Sequence, residues 1–395
     1  MQTPLDDDRK LRETEDIVLY STAGSVTPAR AFAERHLGLL DPEEAALVAG
    51  GLDRLADGPA GFERPLLRTP RYADGALEVP AKRGGTRSAY LPEGQIKIKA
   101  CRPEATTFPH WELDDDFALE VGQIPFGVMT PEGVMREILA YCFEQRQGLP
   151  SAGRPLVVFD YAADGNGDGD GGSLGLSLVS HVPGDERVER FIDCGGRTLH
   201  DLVRQRRRGL LPAGREVELR GISRQDFVER KAGLLARFNF GGGFRGLLNS
   251  NIGNDVIRDG RLHSICDFDT FHRQALPAAD DREGVRRFTL RAYVELIKSS
   301  LPFVDWLDFA DADAGREEVH RALAAYYREH GSLFHAYSRR FLRRAADLGW
   351  DAPLVAGAID EALATPIAFE LLQELIPNSF TAPGVKATSH YVPHN

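Results

Sequence analysis

The stretch FRGLLNSNIGNDVIRDGRLHSICDFDTF, Phe244 to Phe271, decides how the rest of the chain is read. Asp255-Val256-Ile257 has strand character, Arg258-Asp259-Gly260 is a turn, and Leu262 to Cys266 forms a second strand. A hairpin of this kind brings its outer ends together. Asn254 stands just before the first strand and Asp267 just after the second. Their oxygens can then share one cation. A hard ion such as Mg²⁺ takes one or two protein oxygens and completes its shell with water and phosphate. Phosphoryl-transfer enzymes use such an ion to neutralise phosphate charge. Either residue alone reads as a turn cap or a strand end; the pair at this spacing favours the cation.

Outward from this hairpin, residues 84–101 read as another. Thr86 to Leu91 and Gln95 to Cys101 are its strands, with Pro92-Glu93-Gly94 as the turn. Only seven of the 48 basic residues are lysines, and Lys97 and Lys99 fall in this one short strand. Period two places both on the same face. A lysine is a movable point charge suited to phosphate oxygens. A solvated pair on an edge strand is the plain alternative, and the two lysines are rivals for the role. Just before the hairpin, Gly84-Gly85-Thr86-Arg87-Ser88 could cover phosphates with backbone N–H groups helped by Arg87, although it matches no P-loop and a plain turn reads equally well.

A helix is expected from Thr130, with Thr130 as cap, Pro131 at its first position, Glu132 in its first turn and Gly148 past its end. Strands follow at 155–161 and 174–182, joined by the Gly/Asp-rich loop Ala162 to Ser173. A calcium loop starting at Asp164 would need Glu at its twelfth position, where Gly175 stands. Helices are expected at Ser25–His36, Asp41–Ala56, Thr198–Arg208, Arg224–Phe238, Glu283–Leu301, Arg316–Leu348 and Ala352–Leu375. The order gives an α+β chain in three parts: an N-terminal helical extension over 1–80, a strand-rich lobe over 81–185 and a helical lobe over 186–395.

The net charge of −11 argues against non-specific nucleic-acid or anionic-membrane binding, and Arg204 to Arg208 reads as a solvated helix end. No apolar run approaches the roughly 20 residues of a membrane span, and the charged N-terminus does not resemble a secretory signal; the expected location is the cytoplasm. Cys101, Cys142, Cys194 and Cys266 form no CxxC pair and read as buried thiols.

The Asn254 to Asp267 segment resembles the catalytic loop and DFG region of the protein-kinase-like superfamily, aminoglycoside phosphotransferases included. Asn254 matches the metal-binding Asn, and Asp267-Phe268-Asp269 stands in the DFG place with Asp for Gly. Five residues before Asn254, where that superfamily carries its catalytic Asp, this chain has Asn249. An amide cannot serve as general base. Further patches resemble the selenoprotein O family, a pseudokinase-like branch that transfers AMP to proteins and likewise lacks that Asp. They are Lys99-Ala100-Cys101-Arg102-Pro103 for a Lys-Gly-Ala-Gly-Pro-like segment; Arg136-Glu137 to Gly148-Leu149-Pro150 for a helix opening in Arg-Glu and ending in Gly-Ile-Pro; and Arg245-Gly246-Leu247-Leu248-Asn249-Ser250-Asn251 for a His-Gly-Val-Leu-Asn-Thr-Asp-Asn loop. The patches span residues 84–272.

The resemblance implies a bilobal protein-kinase-like fold with ATP between the lobes. Lys99 would hold the phosphates and Glu137 would orient it by an ion pair. Val182-Pro183-Gly184 would be the hinge contacting adenine. Asn254 and Asp267 would hold Mg²⁺, with Asp269 on a second ion. The expected activity is AMP transfer to a protein or small-molecule acceptor. Phosphoryl transfer with Asp255 or Asp269 as base, and a non-catalytic nucleotide-binding scaffold, are the alternatives.

Overall fold

The computed structural model describes residues 17–19, 26–56, 71–73, 76–79, 82–83, 88–90, 96–100, 128–162, 173–182, 186–187, 192–193, 218–219, 221–245, 254–269, 271–299 and 332–364. The chain divides into two compact units, residues 1–146 with 151–185 and residues 147–150 with 186–395.

In the first unit, the strands are β1 (Ile17–Leu19), β2 (Val26–Pro28), β3 (Arg71–Ala73), β4 (Ala76–Val79), β5 (Lys82–Arg83), β6 (Ser88–Tyr90), β7 (Ile96–Lys99), β8 (Arg154–Ala162) and β9 (Ser173–His181). Its helices are α1 (Ala29–His36), α2 (Pro42–Ala49) and α3 (Pro131–Arg146). An antiparallel six-stranded sheet runs β2-β8-β9-β7-β6-β5, beside a small β1-β4-β3 sheet. Val26 to Pro28 corrects the helix expected from Ser25. The residue before a proline is driven out of the helical region, so Thr27 stays extended, and Pro28, lacking an N–H, closes a strand at the sheet edge.

Helix α3 is buried nearly all round. Val134, Met135, Ile138, Leu139, Ala140, Cys142 and Phe143 are all buried, because β8 and β9 cover one side and α1 and α2 another. A helix with a single apolar stripe would need only one such cover. Thr130 caps it through Gly133 N–H at 3.1 Å, and the chain leaves it at Gly148, whose φ of 60° favours glycine. Asp41 caps α2 by accepting from Glu44 N–H at 2.8 Å.

The second unit carries β10 (Glu186–Arg187), β11 (Ile192–Asp193), β12 (Glu218–Leu219), β13 (Gly243–Phe244), β14 (Asp255–Arg258), β15 (Arg261–Ile265) and β16 (His272–Arg273). Its helices are α4 (Arg224–Phe240), α5 (Arg282–Ser299), α6 (Ser332–Asp347) and α7 (Ala352–Ala364). The strands form a β10-β14-β15 sheet and the pairs β11-β12 and β13-β16. The core is helical and aromatic: Phe240, Phe288, Tyr293, Tyr337, Phe341 and Trp350 pack edge to face or tilted, with ring centroids 4.7 to 6.3 Å apart. The α+β class is thus established. The expected helix at 198–208 lies outside the described residues, as does the part of the expected 316–348 helix before Ser332.

No helix among the described residues is long and apolar enough to cross a membrane. Cys142 and Cys266 are buried free thiols; Cys101 and Cys194 lie outside the described residues. Burial pushes the Cys142 thiol up to about 12, so the reactive thiolate is scarce at neutral pH. Iodoacetamide at pH 8 is expected to leave Cys142 unmodified in the folded protein and to alkylate it in urea, as read by peptide mass spectrometry.

Candidate functional site

Lys99 ends β7, opposite Ser88 on β6 and Leu178 on β9. It is 5% exposed. Its Nζ donates to Glu137 Oε1 on α3 in a close ion pair. A buried ammonium without a partner would lose much of its hydration for nothing; the Glu137 carboxylate compensates that loss and fixes its position. Lys97, on the same face, is half-buried; between the two rivals it is Lys99 that the fold pairs with α3. Ala100 follows at a φ of 64°, a region that favours glycine.

In the second unit the hairpin forms with a tight turn. Arg258 and Arg261 pair, leaving Asp259 and Gly260 as a two-residue loop at φ 52° and 70°. Two left-handed residues make the turn whose twist suits an antiparallel pair. A bulge then shifts the register so that Val256 faces Ser264 and Asp255 faces Ile265. Asn254 consequently lies opposite Cys266, whose N–H donates to the Asn254 carbonyl at 2.8 Å. In a continued strand Asp267 would point to the other face. Instead it takes a φ of 71°, which Asp tolerates better than most residues, and its Oδ2 accepts from Asn254 Nδ2 at 3.1 Å.

Carboxylate and carboxamide are hard oxygen donors, and two of them suit an ion that keeps water and phosphate in its shell. Asn254 and Asp267 supply one carboxamide and one carboxylate of that donor type, with the Asn254 amide nitrogen turned to the Asp267 carboxylate. Among the described residues no group of three or more His, Cys, Asp or Glu side chains could hold a metal ion. Asp269 is half-buried two residues further on.

The neighbours of Asp267 are anchored on both sides. Arg245 Nη2 donates to the Cys266 carbonyl at 2.7 Å, and the guanidinium lies 5.3 Å from the Phe268 ring centroid. Phe268 stacks on Phe238 of α4 and meets Phe271 edge-on. Arg245 is itself held, because its backbone N–H donates to Glu295 of α5. On the other side of the pair, Asp255 is fully buried and binds Lys231 of α4 through both oxygens, one at 2.6 Å. Burial pulls the Lys231 ammonium down and pushes the Asp255 carboxyl up, and the charge of each partner opposes both shifts. Both oxygens of Asp255, one of the two expected candidates for a base, are engaged by Lys231.

Lys231, Arg245 and Glu295 escaped the sequence reading. The scarcity of lysine was a signal for Lys231, since it is one of the seven. Of the expected site residues, Lys99 and Glu137 meet, and Asn254 and Asp267 meet. Val182 is buried at the end of β9. Arg87, Asn249, Pro183 and Gly184 lie outside the described residues. Compared with protein-family models, curated proteins and solved structures, the chain matches none.

Removing one partner of a buried ion pair strands the other charge. Lys231→Met alone is expected to lower stability by about 3–5 kcal/mol. Lys231→Met with Asp255→Leu should recover most of that loss, as read from urea unfolding midpoints.

Proposed function

We propose that the chain is an ATP- and Mg²⁺-dependent transferase of bilobal protein-kinase-like fold that moves AMP to a protein or small-molecule acceptor. The observation that carries the proposal is the buried Lys99–Glu137 pair, a strand lysine oriented by a helix carboxylate. The Asn254–Asp267 pair supports it. In this reading Lys99 binds phosphate oxygens, and Glu137 holds its Nζ in place while keeping it charged. Asn254 and Asp267 hold Mg²⁺, with Asp269 available to a second ion. When bound there, the ion would supply neutralisation of charge on the phosphates. Val182 and the segment after it serve the adenine, and Arg87 the phosphates.

AMP transfer is favoured over phosphoryl transfer because Asn249 stands at the base position and Asp255 is engaged by Lys231. An acceptor oxygen attacks the α-phosphorus, the bond to the bridging oxygen breaks, and pyrophosphate leaves. The acceptor's proton passes to solvent or to Asp269.

The test is incubation with Mg²⁺ and ATP labelled at the α- or γ-phosphate, with mass spectrometry of protein and small-molecule products. The expected result is α-label in a covalent product, with turnover reduced about 10²-fold or more by Lys99→Met and by Asp267→Asn. Asn retains the tolerance for left-handed backbone and removes only the charge. Label from the γ-phosphate alone would make the chain a phosphotransferase using Asp269. ATP binding without either label, across a panel of acceptors, would make it a nucleotide-binding scaffold.

A further inference from the structure

Adjacent residues on α3 reach for partners on different elements. Glu137 binds Lys99 of β7. Arg136 turns to α2, where its Nη1 donates to Glu44 Oε2 at 2.5 Å, with Glu132 3.4 Å from Nη2. Arg136 is 8% exposed and Glu44 only 1%, and they are 92 residues apart in sequence. Glu44 holds the third helical position after the Asp41 cap, where a glutamate commonly folds back on its own helix start. Here its side chain spans to another helix. A second close approach to α3 comes from the same N-terminal segment: Gly51 sits so near the helix that a Cβ there would come 2.8 Å from Cys142 Sγ.

We propose that the Glu44–Arg136 pair is a positioning latch, through which the N-terminal helices fix the rotation of α3 and so hold Glu137 on Lys99. Successive helix side chains project about 100° apart around a rigid cylinder. Turning α3 far enough to withdraw Glu137 from Lys99 would therefore pull Arg136 off Glu44, and the reverse holds equally. Arg136 stripped of Glu44 would lose its closer, buried carboxylate and keep the half-exposed Glu132 at 3.4 Å, which favours rotation of α3 toward solvent. The latch makes residues 26–56 part of the machinery that sets the phosphate lysine. Its geometric core stands without the functional reading; its consequence for nucleotide rests on it.

The test reads Lys99 directly, without nucleotide. Acetylation by an amine-reactive ester is followed residue by residue by mass spectrometry. Lys97, two residues away on the same strand, serves as internal reference, and Lys231 as reporter of general unfolding. Glu44→Gln is expected to raise the Lys99 rate roughly fivefold or more, with Lys97 and Lys231 unchanged. Arg136→Met, which breaks the same pair from its other end, should give the same selective exposure. An unchanged Lys99 rate, or a rise shared by all three lysines, would overturn the latch. A second arm follows a fluorescent ATP analogue. Glu44→Gln should weaken its binding in the otherwise wild-type chain and add nothing in a Lys99→Met background. Selective exposure of Lys99 with unaltered nucleotide binding in both variants would keep the latch and remove the nucleotide role of Lys99.

Discussion

Everything proposed for the second unit depends on a two-residue turn and one bulge. Asp259 and Gly260 close the β14–β15 hairpin, and the bulge at His263 moves the outer register by one residue. Without that shift Asn254 would face Ile265, and the following residues would leave on the wrong side. With it, Asn254 faces Cys266, and a single left-handed residue returns the Asp267 carboxylate to the Asn254 amide. The backbone at Asp267 is less favourable than an extended one, and it persists because the surroundings hold both flanks. Arg245 secures the Cys266 carbonyl, and the Phe238–Phe268–Phe271 cluster secures the residue after Asp267.

Buried charge is used in the same way in both units. Lys99–Glu137, Arg136–Glu44 and Lys231–Asp255 each join two elements distant in sequence. Such pairs contribute little net stability relative to apolar packing, but breaking one is costly. They are therefore better understood as devices that fix register and rotation than as sources of stability. The first two share α3 through adjacent residues, so one helix carries both the partner of Lys99 and its own anchor. The third holds the residue next to Asn254 against α4.

Much of this was legible in the sequence because the signals were local. Two short strand-like runs around Arg258-Asp259-Gly260 gave the β14–β15 hairpin and hence the meeting of Asn254 and Asp267. Thr130-Pro131 gave the start of α3, and the rarity of lysine singled out the strand bearing Lys99. Period two could not separate Lys97 from Lys99, since both share a face; the reach to Glu137 does so. Pairings between distant elements left no local trace. Nothing around Glu44 announces Arg136, and nothing around Asp255 announces Lys231, so Asp255 read as an available base. Proline explains the remaining miss, because Thr27 and Pro28 break a helical pattern that the surrounding alanines support.

In the proposed function Lys99 receives phosphate oxygens while Asn254 and Asp267 receive the divalent ion. Calorimetric titration of ATP with and without Mg²⁺, into the wild-type chain, Lys99→Met and Asp267→Asn, separates the two roles. Mg²⁺ is expected to strengthen ATP binding in the wild type, Lys99→Met to weaken binding in either condition, and Asp267→Asn to abolish only the gain from Mg²⁺. ATP binding that is absent, or that responds to neither substitution, would contradict the proposed function.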